Sequence, residues 1–577
     1  MWRSIQIMSI LFSLMPLVLF IAILALVLAK VTGKAHSPKS SAQPVRLFFQ
    51  YALAFGLFII FTVGLAGLLS RVLDTSNIVT ADQSSLATSL AFVVVGGPLF
   101  VGIIIWLKKS ISENPADGHG AIPTFFTTLA AIISLLVFLA STIAALRNLV
   151  NDDPVFGFTI SRAIIWGIAW ALILKAANSV IPKNDFRIQY FTGSLITAIA
   201  SVVGLIKVLT GLLVIVLGQT ALLGNANSAL VNTQNNTLNG LAILVVSAAL
   251  WFYYWVKNAD TQTNDTLWLS YVLIAGVGGS LVLALTSLIV TIYRILVWFI
   301  GDPSSEVLST YFARLPGSTA AATVGLLAWW YHKSLLPIKT QRTETQRIYE
   351  YLVSAISLIA STIGLAIVIV AIIESFSKVL IAGAGAINTL LGAITVMLVS
   401  APVWWKFWSR IQRFTNDAQV AEVGSPVRRI YLFILFGVGG VTSIISLITI
   451  VFQFFDDLLA SNLGAATLNE MRFAVGILIS TGIVAAYHWM VYREEKDIEV
   501  AFGSVVKSIL LVGPKDDELV RLLKVATGAR VTLWTSVDTD LSSWPADRVI
   551  ELVKQAETER LLVLFESTGV KVIPVNR

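Results

Sequence analysis

The sequence predicts an all-α polytopic transmembrane protein of about 13 helices, one N-terminal helix plus six parallel two-helix hairpin repeats, followed by a small cytoplasmic α/β or α+β domain. Three observations carry this. The chain is 56% hydrophobic and only 13% charged, with a mean hydropathy of +0.83, whereas a soluble domain is about 25% charged. Thirteen apolar runs reach the roughly 20 residues that cross about 30 Å of hydrocarbon, and unpaired backbone in lipid forces such runs into helices. Finally, four segments open almost alike: Arg46-Leu47-Phe48-Phe49-Gln50-Tyr51, Arg187-Ile188-Gln189-Tyr190, Arg347-Ile348-Tyr349-Glu350-Tyr351 and Arg429-Ile430-Tyr431-Leu432-Phe433. A recurring opening of this kind marks an internal repeat.

The first run, Met8 to Leu28, stands alone. It reads as a retained anchor, because it exceeds the usual 7–15 residue apolar core of a signal peptide and four positive charges follow it. A cleaved signal peptide is the alternative. The other twelve runs pair into hairpins, a long first helix and a shorter second. The expected divisions are 1–45 for the first helix and its linker, then hairpins 46–117, 118–185, 186–265, 266–346, 347–428 and 429–499, and a terminal domain 500–577.

Orientation follows from the loops. Nineteen Lys/Arg lie between successive hairpins or behind the first run, against eight on the opposite side. The positive-inside rule then places the N-terminus outside and the C-terminus in the cytoplasm. Second helices close on aromatic clusters just before the basic loops, as in Trp251-Phe252-Tyr253-Tyr254-Trp255, Trp329-Trp330-Tyr331 and Trp404-Trp405. These sit where an interfacial belt belongs. Every hairpin enters and leaves on one side, so the copies are parallel rather than inverted. Several first helices continue past the bilayer into mixed turns such as Gln453-Phe454-Phe455-Asp456-Asp457-Leu458, read as extensions beyond the outer surface.

Paired helices with an Arg-aromatic opening and a Trp/Tyr/His–Lys/Arg close resemble the bacterial membrane family filed as domain of unknown function 5671. The resemblance spans most of residues 40 to 495, although the second and fourth openings lack the arginine. It implies the repeat architecture and a bacterial plasma membrane, and it transfers no functional residues.

Ionisable groups at membrane depth are the first candidates for function. Lys207 lies twenty residues beyond Arg187, near the outer boundary, where it snorkels to water. Glu374 and Lys378 are spaced for a surface i, i+4 ion pair. His332 and His488 occupy similar places at the inner ends of second helices, where a belt position explains them without haem or metal. Stretches such as Ala275-Gly276-Val277-Gly278-Gly279-Ser280 and Gly437-Val438-Gly439-Gly440 suit close helix packing or a pore lining. No catalytic, cofactor or metal motif stands out, and the absence of cysteine removes thiolate sites and disulfides.

From residue 500 onward the composition is that of a soluble domain, with ten Lys/Arg against ten Asp/Glu. The whole net charge of +7 therefore sits in the membrane part, where orientation explains it without nucleic acid. The order β-α-β-α-β-β is expected, with Gly528 stopping the first helix. Gly513-Pro514-Lys515 stands where a phosphate loop would, but one glycine falls far short of a dinucleotide fingerprint. Three functions fit: a non-enzymatic scaffold or accessory subunit of a membrane assembly, with a membrane-protein partner or a second copy; a transporter or channel for lipid or another apolar solute; and a sensor with the C-terminal domain as output.

Overall fold

A computed structural model describes residues 42–73, 83–118, 120–151, 156–180, 187–218, 227–259, 266–336, 343–377, 386–417, 422–496, 506–535, 544–556, 558–566 and 569–575. The N-terminal run Met8 to Leu28 and Lys378 lie outside these residues. The chain divides into two compact units, Met1–Pro337 and Ile338–Arg577.

The first unit contains α1 (Ala42–Leu73), α2 (Gln83–Glu113), α3 (Ala121–Asn151), α4 (Phe156–Val180), α5 (Arg187–Gly218), α6 (residues 227–259), α7 (residues 266–300) and α8 (Leu315–Ser334). The second contains α9 (Glu344–Ser377), α10 (Ala386–Asp417), α11 (Pro426–Leu459) and α12 (Ala465–Lys496). Eleven of these helices are long and apolar enough to cross a membrane. The exception is α8, whose first turns, Pro316-Gly317-Ser318-Thr319, are short in apolar side chains.

The two helices of each pair pack antiparallel, and small residues set how closely. A Cβ on Gly204 of α5 would come within 2.6 Å of the Leu244 backbone nitrogen in α6, and one on Gly325 of α8 within 2.7 Å of the Ala284 nitrogen in α7. Lipid tails offer no hydrophobic gain for helix association, so close backbone approach supplies the dispersion energy instead. The glycine-rich stretches divide accordingly. A Cβ on Gly276 would collide with the His332 ring and one on Gly439 would come within 3.2 Å of Ala485 Cβ, whereas Gly437 and Gly440 face open space.

Four of the six pairs are also pinned by hydroxyl groups. Ser201 donates to Ser247 across α5 and α6 at 3.1 Å, and Thr291 to Ser318 across α7 and α8 at 2.9 Å. Ser361 meets Ser400 across α9 and α10 at 2.9 Å, and Ser443 meets Thr481 across α11 and α12 at 2.8 Å. Such bonds contribute about 0.6 kcal/mol each within a bilayer.

A second rule joins one pair to the next. The first helix of a pair packs against the second helix of the following pair: α1 on α4, α3 on α6 and α5 on α8 in the first unit, and α9 on α12 in the second.

The terminal domain has a four-stranded sheet ordered β2-β1-β3-β4, with β1 (Ser508–Gly513), β2 (Arg530–Thr535), β3 (Arg560–Glu566) and β4 (Gly569–Pro574). β1 is parallel to β2 and β3, and β4 returns antiparallel. Helices α13 (Asp517–Thr527) and α14 (Ala546–Lys554) supply Leu519, Leu523, Val549 and Val553 to a core built on Ile509, Leu511 and Val563. Gly528 stops α13 in the left-handed region at φ 68°. The second helix ends at Lys554, where Ala556 N donates to the Val553 carbonyl and closes it with a turn.

Two contacts argue against a phosphate at the end of β1. Asp516 Oδ1 already accepts the N–H groups of Glu518 and Leu519 at the start of α13. The Trp544 indole lies against Gly513, where a Cβ would approach it to 2.6 Å, and donates to the Pro514 carbonyl at 2.7 Å. Asp538 and Asp540 lie outside the described residues. Trp544→Phe should lower the domain's stability by about 1 kcal/mol, the net value of one hydrogen bond, measured by denaturant unfolding.

Candidate functional site at the basic helix ends

Conspicuous chemistry concentrates where first helices begin and second helices end. There each aromatic run is split between two jobs. Trp106, Phe252, Trp330, Trp405 and Trp489 are exposed, as a belt requires. Their near neighbours Tyr254, Trp255 and Trp408 are buried. The buried members form hydrogen-bonded rungs between successive second helices. Trp170 Nε1 of α4 donates to Tyr254 Oη of α6 at 2.6 Å, and Trp255 Nε1 of α6 donates to Tyr331 Oη of α8 at 2.8 Å. In the second unit Trp408 Nε1 of α10 donates to Tyr487 Oη of α12 at 2.8 Å.

Each of the last two rungs is backed by a tyrosine from the opening of a first helix. Tyr271 stacks on Trp255 with centroids 4.4 Å apart, and Tyr431 stacks on Trp408 at 5.5 Å. Phe191, Tyr271, Tyr351 and Tyr431 recur at a constant eighty-residue spacing. Local backbone geometry helps. Phe252–Ala259 and Tyr271–Gly279 are π-helical, and these widened turns carry Tyr254, Trp255 and Tyr271. Trp408→Phe removes a buried donor and should cost about 1–3 kcal/mol. In a double-mutant cycle with Tyr487→Phe the two losses should sum to more than the double variant shows, read from thermal unfolding in detergent.

His332 and His488, candidates for a buried or interfacial role, sit beside these rungs and are both buried. Their rings lie against Tyr271 at 6.0 Å and Tyr431 at 5.8 Å. The Nδ1 atoms lie 2.8 Å from the carbonyls of Ala328 and Val484, one helical turn back. With the proton on Nδ1 donated there, Nε2 is left as an acceptor, and both Nε2 atoms are buried without a partner among the described residues. A Cβ on Gly276 would come within 2.3 Å of His332 Cδ2, so helix backbone crowds that ring edge. Among the described residues no group of three His, Cys, Asp or Glu could hold a metal ion.

Lys207 is not part of this site. It is exposed on α5, with its Cβ beside Gly240 of α6, about 30 Å along the helix from Arg187. Glu374 pairs with Arg472 of α12 at 3.1 Å, bridging α9 and α12; Lys378, expected beside it, lies outside the described residues.

The opening arginines do more than mark orientation. Arg46 pairs with the buried Asp117 at 2.6 Å, and Tyr51 Oη donates to the Asp117 carbonyl at 3.4 Å. Ser110 and Asn114 also donate to the Asp117 carboxylate. In the second unit Arg347 Nε donates to Glu422 at 2.9 Å, and Tyr351 Oη to the same carboxylate at 3.1 Å. The network continues from Tyr351, which accepts from Arg428 Nη1 at 2.9 Å, to a bidentate pair of Arg428 with Glu495. Arg428 is fully buried, stands over the Trp408 ring at 5.7 Å, and reaches Gln412 at 3.3 Å. Residues of α9, α10, α11 and α12 thus meet around one guanidinium. The sequence signal missed was an isolated acid, Asp117 or Glu422, a few residues before the next helix begins.

Two segments, residues 47–176 and 347–483, match the family described as domain of unknown function DUF5671. The chain carries this domain twice. Each copy spans two helix pairs, α1–α4 and α9–α12, so the domain is a four-helix unit. An arginine–acid–tyrosine latch accompanies each copy: Arg46–Asp117–Tyr51, whose arginine stands one residue before the first matched segment, and Arg347–Glu422–Tyr351 within the second. Residues 177–346 fall between the copies. No curated protein and no solved structure matches the chain. With eleven candidate spans, the domain belongs here to a multi-pass membrane protein.

Proposed function

We propose that the protein is a non-enzymatic scaffold or accessory subunit of a membrane assembly. It is built on thirteen spans, the N-terminal run plus six parallel hairpins, with its N-terminus outside and its C-terminal domain in the cytoplasm of a bacterial plasma membrane. The observation that carries the reading is how its polar groups are spent. Hydroxyls inside the helix pairs bond to each other, Ser201 to Ser247, Ser361 to Ser400 and Ser443 to Thr481. Buried ions are paired, Arg428 with Glu495 and Arg347 with Glu422. A transport path needs polar or ionisable groups facing a cavity; these hydroxyls and ions are turned to one another and hold helices together.

Purification in a mild detergent tests the reading. A stoichiometric membrane-protein partner is expected to stay with the full chain through size exclusion. A solitary particle that moves a lipid or other apolar solute across vesicles would favour the transporter instead.

A further inference from the structure

Among the described residues, the end of α11 leaves its apolar side chains exposed. Arg429 and Asp456 are both charged and exposed, and the helix between them is about 40 Å long. The hydrocarbon is about 30 Å thick, and the average 20° tilt of a membrane helix shortens the span by only a few ångström. The last turns of α11 therefore stand clear of the hydrocarbon. A second marker agrees. The antiparallel contacts of Ser443 with Thr481 and Gly439 with Ala485 bring Phe452 level with Arg472, whose ion pair with Glu374 suits a boundary rather than a bilayer interior.

At and beyond that level Phe452, Phe454, Phe455, Leu458 and Leu459 are all exposed, Phe452 by 67% and Leu459 by 84%. This is no frayed end. Ala460 N donates to the Asp456 carbonyl at 3.0 Å and Asn462 N to that of Asp457 at 2.9 Å, with Ser461 held at φ 56° between them. An ordered, solvent-facing apolar patch of this kind marks an interaction surface. Its charge narrows the partner. Asp456, Asp457 and Glu470 surround the patch, and the cation among them, Arg472, is engaged with Glu374.

We propose that this tip is a docking surface for an apolar, cationic segment of a partner protein. The proposal rests on the scaffold reading and names the face it uses. An acidic patch repels anionic lipid headgroups and the same patch on a second copy, while lysine or arginine beside apolar side chains complements it.

Photo-crosslinking from position 455 of the full chain in its native membrane tests this, with position 438, exposed at the middle of α11, as the lipid-facing control. The expected result is one protein adduct from 455 whose linked segment carries lysine or arginine, and none from 438. Asp456→Lys with Asp457→Lys should cut the yield at least tenfold; if that variant fails to fold, Asp456→Asn with Asp457→Asn should cut it severalfold. Lipid adducts alone, an adduct to a second copy, or a yield indifferent to the charge changes would overturn the proposal. A co-purifying partner that crosslinks elsewhere would leave the scaffold standing and still sink this surface.

Discussion

Glu495→Ala is expected to destabilise the α9–α12 bundle by about 3–5 kcal/mol, the cost of leaving a buried ion without its partner. Arg428 is fully buried and gives three of its donor nitrogens to Glu495, Tyr351 and Gln412. Removing the carboxylate strands that charge beside the Trp408 ring. The loss should appear as a lower thermal midpoint in detergent. The pair itself need not be a net gain, because desolvating two ions offsets much of their attraction. Arg428→Met combined with Glu495→Leu should therefore recover most of what Glu495→Ala loses. Failure of the double variant to recover would mean that Glu495 acts through something other than Arg428.

Gly204→Val should have the next largest effect. Its Cβ would lie 2.6 Å from the Leu244 nitrogen and 2.8 Å from the Leu244 Cα, and backbone cannot swing aside as a side chain can. The two helices must part, which loses dispersion contacts along the seam and stretches the nearby Ser201–Ser247 bond of 3.1 Å. Overpacking of this sort costs about 1–3 kcal/mol. Gly437→Ala is the matched control, since nothing lies within 4 Å of its Cβ position. That change should leave the thermal midpoint unaltered or slightly raised, as helix propensity alone would have it. Equal damage from both would show that close packing is not what Gly204 provides.

The sequence made the architecture legible because hydropathy and spacing are properties of single segments. Apolar length marked the helices, and the Asp516–Gly528 frame marked the first helix of the terminal domain. What stayed hidden needed the helices to be brought together. Trp329, Trp330 and Tyr331 read as one belt, yet Trp330 faces outward while Tyr331 receives the Trp255 indole. Helical phase against a neighbour decides that, and the neighbour lies 76 residues away in sequence. Arg46 and Arg347 read as topology markers because charge counting treats each loop alone, whereas their acids, Asp117 and Glu422, sit in the next connection. The eighty-residue recurrence of Phe191, Tyr271, Tyr351 and Tyr431 was present throughout, but only the stacking on Trp255 and Trp408 gives it a purpose.

The chain has no cysteine, so single cysteines can be introduced one at a time and probed in intact membranes. Positions 201, 247, 361 and 400 lie in hydrogen-bonded seams between helices, and position 459 is 84% exposed at the tip. A water-soluble methanethiosulfonate should label position 459 quickly and leave the four seam positions unmodified. Fast labelling at the seams, under conditions where the protein stays folded, would reveal a water-filled path and contradict seams closed by their hydroxyl pairs.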